Sequence, residues 1–173
     1  QGVSSAASDV YKRQIMKLPN NQPPMITLAE IPNKMKYEFE TAFNRFMKEH
    51  NITKFKMNEH FPVNTISLIR GAIVAQKHEF FESYLEIVLS GLWEQSLKLD
   101  SPEALHELLK KHDCHADLVI EEIAKDETKQ ELIKNTNEAT EKGAFGIPTF
   151  FVGEEMFYGK DTLRELKEMA SSS

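Results

Sequence analysis

The segment that decides the fold is GAFGIPTFFV at residues 143–152, followed directly by GEEMFYGKD at residues 153–161. β-Branched and aromatic residues dominate after the proline, so a short strand is predicted over 148–152 and a second over 155–158, with a turn at Gly153-Glu154. Two strands are too few to form a stable sheet alone. The segment therefore predicts the closing part of a larger α/β fold, whose other strands we expect upstream.

Most of the chain before this segment is predicted to be helical, because apolar residues recur at intervals of three and four. The stretch 80–97 is apolar almost all round its middle, which predicts the most buried helix of a bundle. The stretch 51–65 has no such period and is interpreted as an extended connector. Asp161 is predicted to cap a final helix that runs through Met169. The other predicted helices cover 34–49, 65–76, a stretch that begins at 101–102, 116–124 and 128–142.

The sequence divides into four predicted parts. Residues 1–14 resemble the in-frame translation of a sequencing adapter, and we expect them to be disordered and unrelated to the fold. Residues 15–33 are interpreted as the remnant of an N-terminal half whose first βα unit is missing. Residues 34–142 form a helical insertion, and residues 143–173 form the closing ββα segment.

Composition and charge argue against several classes of protein. The 173 residues carry a formal net charge of −6, which argues against a protein that binds the phosphate backbone of nucleic acids. No stretch holds the roughly 20 apolar residues of a membrane span. Cys114 is the single cysteine, so no disulfide and no C-x-x-C pair can form within this sequence. It lies in the run HDCH at residues 112–115, but zinc needs three or four converging ligands, and no metal site is predicted.

Two short motifs near the end of the chain have the chemistry of a peptide-binding site. Between Ile147 and Pro148 a trans bond is the more frequent state, since only about 5–6% of such bonds are cis in folded proteins. A cis bond would instead turn the Ile147 N–H and C=O outward, toward an extended ligand. The second motif, residues 158–161, starts a helix, where Lys160 can attract a carboxylate and Asp161 can accept an ammonium group. Simple helix capping is the alternative explanation of this second motif.

Three upstream features are weaker signals. The loop NNQPP at residues 20–24 is by itself typical of a linker, and Lys34 of a solvated lysine at a helix start. His60 and Arg70 flank a potential pocket, although each taken alone is interpreted as a surface or core polar residue.

Taken in order, these motifs resemble one family. NQPP at 21–24, IPNK at 31–34, HFPVNT at 60–65 and RGA at 70–72 precede the FGIPTFFV and MFYGKD runs of the closing segment. Together they resemble the 2-hydroxychromene-2-carboxylate isomerases, which are close to the kappa-class glutathione transferases within the DsbA-like thioredoxin superfamily. The resemblance implies a thioredoxin-like fold with a helical insertion, which binds glutathione at the edge of its sheet.

The resemblance also implies roles for individual residues. Pro148 matches the cis-proline, and Ile147 matches the residue whose backbone pairs with the cysteinyl unit of glutathione. Lys17 matches a lysine that contacts the substrate. The serine that stabilises the glutathione thiolate in the family would lie upstream of Ile15, so no catalytic residue is assigned here and the chain as given is expected to be catalytically incomplete. The other residues expected to bind glutathione are Asn21, Lys34, Tyr158, Gly159, Lys160 and Asp161.

The function that this resemblance implies is glutathione-dependent cis–trans isomerisation of a small aromatic substrate, by reversible addition of the glutathione thiolate to a conjugated system. The resemblance further implies a cytoplasmic enzyme of aromatic catabolism that is a homodimer when full length. Two related alternatives stay open, a kappa-type glutathione transferase and a thiol-disulfide oxidoreductase whose C-x-x-C pair would also lie upstream. A non-catalytic helical binding module is the alternative from a different class.

Overall fold

The structure is a computed structural model that describes residues 30–171. These residues fall into two units, residues 30–132 and residues 133–171. The adapter-like start and most of the predicted N-terminal remnant lie outside the described residues, and so do two predicted site residues, Lys17 and Asn21.

Helices dominate the first unit, as the apolar spacing predicts. The helices are α1 (Pro32–Lys36), α2 (Phe43–Glu49), α3 (Ile66–Lys77), α4 (Phe81–Trp93), α5 (Pro102–Lys111), α6 (Ala116–Ala124) and α7 (Asp126–Glu141), the last of which continues into the second unit. A π-helical turn at Tyr37–Ala42 joins α1 to α2, a feature that the sequence pattern did not predict. α5 begins as predicted, because the Ser101 hydroxyl accepts a hydrogen bond from the N–H of Ala104 at 3.2 Å. Among the helices of residues 30–171, none is long and apolar enough to cross a membrane.

Four helices, α3 to α6, enclose the hydrophobic core of this unit. Tyr84 on α4 is fully buried there, and its hydroxyl donates a hydrogen bond to the carbonyl oxygen of Leu68 at 2.8 Å. The Tyr84 ring lies directly over Gly71 on α3, where a Cβ atom would come within 2.1 Å of the phenol oxygen. Glycine at position 71 therefore makes room for the tyrosine. The other large side chains that are fully buried are Leu99, Leu105, Leu109, Val74 and Val119.

The prediction that 80–97 forms the most buried helix of the bundle is wrong, because α4 has four buried residues and α3 has five. One face of α4 enters the core, whereas Leu89 on another face is 49% exposed. The helix also ends at Trp93, because the chain reverses at Ser96, whose φ is +57°, and the N–H of Leu97 donates to the carbonyl of Gly91 at 2.9 Å. The apolar run thus covers a helix and the turn that follows it.

The stretch 51–65 contains neither helix nor strand, as predicted, and Asn58 fixes it to the end of α4. This buried side chain donates through Nδ2 to the carbonyl oxygens of Leu92 and Leu97, both at 2.9 Å. Its Oδ1 accepts a hydrogen bond from the N–H of His60 at 2.8 Å. Asn58 therefore uses both donors and its acceptor, as a buried amide must to avoid a desolvation cost.

The second unit contains the closing ββα segment. β1 (Thr149–Val152) and β2 (Glu155–Tyr158) pair antiparallel, with Thr149 opposite Tyr158. A 3₁₀ turn at Lys160–Thr162 then leads into α8 (Leu163–Ser171).

The prediction that Asp161 caps the last helix is wrong. The 3₁₀ turn begins one residue before Asp161, so this residue lies inside the turn, and Gly159 occupies the cap position without a side-chain hydrogen bond. The Asp161 carboxylate instead accepts a hydrogen bond from the Nζ of Lys160 at 2.6 Å. This carboxylate therefore has no capping role in the fold.

Candidate functional site

The turn before β1 presents an unusually open piece of backbone. The Ile147–Pro148 bond is cis, as the resemblance implies. Ile147 is 78% exposed, and within residues 30–171 its N–H and C=O take part in no hydrogen bond. The turn itself is fixed from the other side, since the Thr149 hydroxyl donates to the carbonyl of Gly146 at 2.7 Å. Two backbone groups of Ile147 are thus free to pair with an extended chain.

The end of β2 lies beside this turn. The N–H of Gly159 donates to the carbonyl oxygen of Pro148 at 2.9 Å, which extends the strand pairing by one bond. The structure therefore brings together the two motifs that the sequence separates by ten residues. Gly159 has φ +87°, a conformation that favours glycine, and a Cβ atom there would meet nothing within 4 Å. The space next to Gly159 is open.

Aromatic side chains cover one side of the turn. The rings of Phe145 and Tyr158 are 4.5 Å apart between centroids, and both remain partly exposed. A Cβ atom on Gly146 would lie 2.9 Å from the Tyr158 ring, so glycine lets this ring approach the turn. Sequence reasoning missed Phe145 and Gly146, although a glycine directly before the Ile147-Pro148 pair was a signal for close packing.

Charged groups of both signs follow Gly159. The Lys160 and Asp161 side chains form an ion pair, and the Asp161 side chain is 85% exposed. The Thr162 hydroxyl donates to the carbonyl of Gly159 at 2.8 Å and holds the turn that carries both charges. An amino acid moiety with its own ammonium and carboxylate groups matches this arrangement, because each of its charges finds an opposite one.

The remaining predicted site residues are not part of this group. Lys34 lies on α1 in the other unit and is exposed. Lys17 and Asn21 lie outside the described residues. Cys114 is buried in the helical core, and burial raises the pKa of its thiol. In the part of the chain that the structure describes, no three His, Cys, Asp or Glu side chains are placed to hold a metal ion.

A separate cleft lies in the helical unit. Its volume is about 910 Å³, and it lies between the 51–55 stretch and α4, with Phe55, Trp93 and His112 in its wall. The Phe55 and Trp93 rings stack at 5.6 Å. Of the described residues that the sequence singled out for glutathione binding, none lines this cleft.

Comparison with known proteins identifies the fold. Residues 11–170 match the family model of the DsbA-like thioredoxin domain. A solved structure of selenomethionine 2-hydroxychromene-2-carboxylate isomerase superposes with a TM-score of 0.75 at 19% sequence identity, covering 94% of this chain and 76% of the isomerase chain. No curated protein sequence matches the chain. The predicted thioredoxin-like α/β fold is thereby confirmed, and at this level of identity the structural likeness concerns the fold alone.

Proposed function

This chain belongs to the DsbA-like thioredoxin domain family, and from that premise we propose that it acts as a glutathione-dependent cis–trans isomerase on a small aromatic substrate. The proposed reaction class is that of 2-hydroxychromene-2-carboxylate isomerase, whose structure has the same fold. The observation that carries the proposal is the free, exposed backbone of Ile147, held beside the charged Lys160–Asp161 pair by the bond from Gly159 to Pro148.

The residues present fit glutathione, which is γ-glutamyl-cysteinyl-glycine. The cysteinyl unit would pair through its own N–H and C=O with the backbone of Ile147, in the manner of an added strand. The γ-glutamyl end carries one ammonium and one carboxylate, which would face Asp161 and Lys160. The open space beside Gly159 would admit the γ-glutamyl end without displacing a side chain.

When bound, glutathione would supply a thiolate able to add reversibly to a conjugated double bond and permit rotation about it. The chain's own part is to hold the tripeptide in one orientation and to present an apolar surface for the substrate. Phe145 and Tyr158 offer that surface next to the turn. Cys114 is unsuited to supply the thiolate, because it is buried and its pKa is raised, whereas a reactive cysteine needs exposure and a lowered pKa.

Further parts of the proposal rest on the resemblance. Asn21 and Lys34 are proposed to contact glutathione, and Lys17 the substrate. A cytoplasmic location and a homodimer are proposed on the same ground.

Binding of glutathione by this chain is the first test. We expect glutathione to shift the amide resonances of Ile147 and Gly159 in a ¹⁵N spectrum of the protein, with saturation. Asp161→Asn keeps the shape of the side chain but removes its charge, so affinity should fall roughly tenfold, the value of one charge-assisted hydrogen bond. Glu154→Gln, in the exposed turn between β1 and β2, removes a charge of the same sign and should leave the affinity unchanged.

The dipeptide Cys-Gly separates the proposed contacts from each other. It lacks the γ-glutamyl unit, so it should bind more weakly than glutathione and be insensitive to Asp161→Asn. If Asp161→Asn weakened the binding of both ligands equally, or of neither, the placement of the γ-glutamyl group would be contradicted. Absence of any glutathione binding would favour the non-catalytic binding module. For the reaction itself, isomerisation of 2-hydroxychromene-2-carboxylate is followed by absorbance. Turnover should require both added glutathione and the thiolate-stabilising serine that the resemblance implies.

A further inference from the structure

Arg70 is a buried cation that has no counter-ion among residues 30–171. It lies in the second turn of α3 and is only 7% exposed. Its Nε atom is fully buried and has no hydrogen-bond partner. Across residues 30–171, no Asp or Glu carboxylate lies within 4.0 Å of its guanidinium nitrogens to form an ion pair. Burial also lowers the pKa of Arg70, with no neighbouring charge acting against that shift.

Burying the Arg70 guanidinium without an acceptor costs free energy, which is unusual for a side chain that has no role. Burying a guanidinium removes its hydration, and the cost is offset only when a carboxylate or several acceptors replace the water. Elsewhere in the same unit, the buried polar side chains of Asn58 and Tyr84 form hydrogen bonds with the backbone. Arg70 stands out against this background because α3 places it between residues of the core face, Leu68 and Gly71, yet gives it no acceptor.

The two terminal nitrogens of Arg70 differ from its Nε. A terminal nitrogen that was fully buried would need a hydrogen-bond acceptor, because Nε is the one Arg70 atom that is both fully buried and unpaired. Among the described residues, neither terminal nitrogen donates a hydrogen bond, so both retain access to solvent. The guanidinium is therefore embedded up to its Nε, while its two terminal nitrogens keep a small exposed area. A group that reaches these nitrogens would form hydrogen bonds with a cation that burial has already stripped of part of its water.

We infer that Arg70 is the anchor of a binding site for a small organic carboxylate on the helical unit. A carboxylate fits better than a phosphate, because a single guanidinium balances one negative charge and its planar edge matches the two oxygens of a carboxylate. The small exposed area of Arg70 limits the ligand to one whose carboxylate protrudes from a narrow body. The inference goes beyond the proposed isomerase and does not depend on it, because it concerns residues 30–132 and needs no glutathione.

Benzoate is the probe that tests this site, with benzamide as its neutral isostere at the same concentration and ionic strength. The Nε–Hε resonance of Arg70 should shift and saturate with benzoate and stay in place with benzamide. Arg70→Lys identifies that resonance by its disappearance. Because lysine keeps the charge but loses the planar edge, benzoate affinity measured by backbone amide shifts should fall roughly tenfold in this variant.

Thermal stability provides a second readout. Benzoate should raise the melting temperature of the wild-type protein and of Arg45→Met, a control that removes an exposed arginine on α2, but not that of Arg70→Met. Without benzoate, Arg70→Met should be at least as stable as the wild type, since a buried charge without a partner is replaced by an apolar side chain of similar length.

Three results would overturn the inference. The first is an equal response of the Arg70 Nε–Hε resonance to benzoate and benzamide. The second is a benzoate effect that does not saturate or that persists in Arg70→Met. The third is a marked loss of stability or failure to fold in Arg70→Met, because that would mean that a group of the protein itself already pairs with the guanidinium. The wild-type resonance test stands whether or not the variant folds.

Discussion

Gly71→Ala is expected to destabilise the helical unit strongly, although alanine is the better helix former. The added Cβ would lie 2.1 Å from the phenol oxygen of Tyr84 and 2.7 Å from its Cζ. Ordinary contact begins at 3.4 Å, so the ring has to move by more than an ångström. Tyr84 is fully buried in a close-packed interior, and such a movement has no free space to enter.

Three contributions determine how much the free energy of unfolding should fall in Gly71→Ala. Overpacking in a filled core costs about 1–3 kcal/mol. Moving the ring also breaks the hydrogen bond from Tyr84 to the carbonyl of Leu68, and a buried hydroxyl without a partner costs about 1–3 kcal/mol. The gain from replacing glycine by alanine within a helix offsets roughly 0.5–1 kcal/mol of this. The expected loss in the free energy of unfolding is therefore about 1–5 kcal/mol.

Urea unfolding followed by circular dichroism measures this loss, with an unchanged m-value as the sign that the two end states are the same. Gly91→Ala is the matched control, because it also places a methyl group in a buried helix position. Its Cβ would meet the Cδ2 of Leu108 at 2.9 Å, the flexible end of a side chain, so a smaller loss of under about 2 kcal/mol is expected. Removing the phenol oxygen with Tyr84→Phe should make the double variant less unstable than the sum of the single ones. A neutral or stabilising Gly71→Ala would refute this reasoning.

Two further predictions concern buried polar groups. Burial raises the pKa of Tyr84 in the folded state above the ordinary value of 10.0, so the phenol of the unfolded chain ionises first and stability should fall as the pH rises past about 10. In Tyr84→Phe the urea midpoint should therefore fall less steeply between about pH 8 and 11 than in the wild type. Equal slopes for the two proteins would contradict this prediction. Asn58→Asp places a carboxylate against the carbonyl oxygens of Leu92 and Leu97, so the free energy of unfolding should fall by about 2–4 kcal/mol at pH 7. Part of this stability should return in acid, where the carboxylate is protonated. The control Asn33→Asp makes the same change at an exposed position and should alter stability little.

Much of the fold was predictable from the sequence, because its signals are local. The spacing of apolar residues located the helices of the first unit, and the cap at Ser101 fixed the start of α5 to the residue. β-Branched and aromatic residues located β1 and β2. The extent of burial was less predictable, since the exposed Leu89 on α4 depends on which neighbours reach that face, and no local pattern encodes this.

Some features of the candidate site were predictable from the sequence and others were not. The cis bond before Pro148 was expected from the resemblance, and its neighbourhood to Gly159 follows from the strand pairing. Asp161 shows the limit of pattern reasoning: an acidic residue before an apolar period usually caps a helix, but a 3₁₀ turn that starts one residue earlier removes it from the cap position. Arg70 shows another limit, because its burial without a partner among the described residues depends on the packing of α3 within the unit and not on its own sequence neighbours.

The separation of polar chemistry from packing makes the proposed experiments interpretable. Asp161 is exposed and forms no cap, so its charge can be removed without touching a contact on which the fold depends. Gly71 and Tyr84 lie in the core of the other unit, where substitution changes stability and involves no group proposed to touch glutathione. A loss of glutathione binding at unchanged stability therefore points to the site, and a loss of stability at unchanged binding points to the core. Arg70 combines both features, as a charged group inside the core, and for that reason its test needs a ligand response and a stability measurement together.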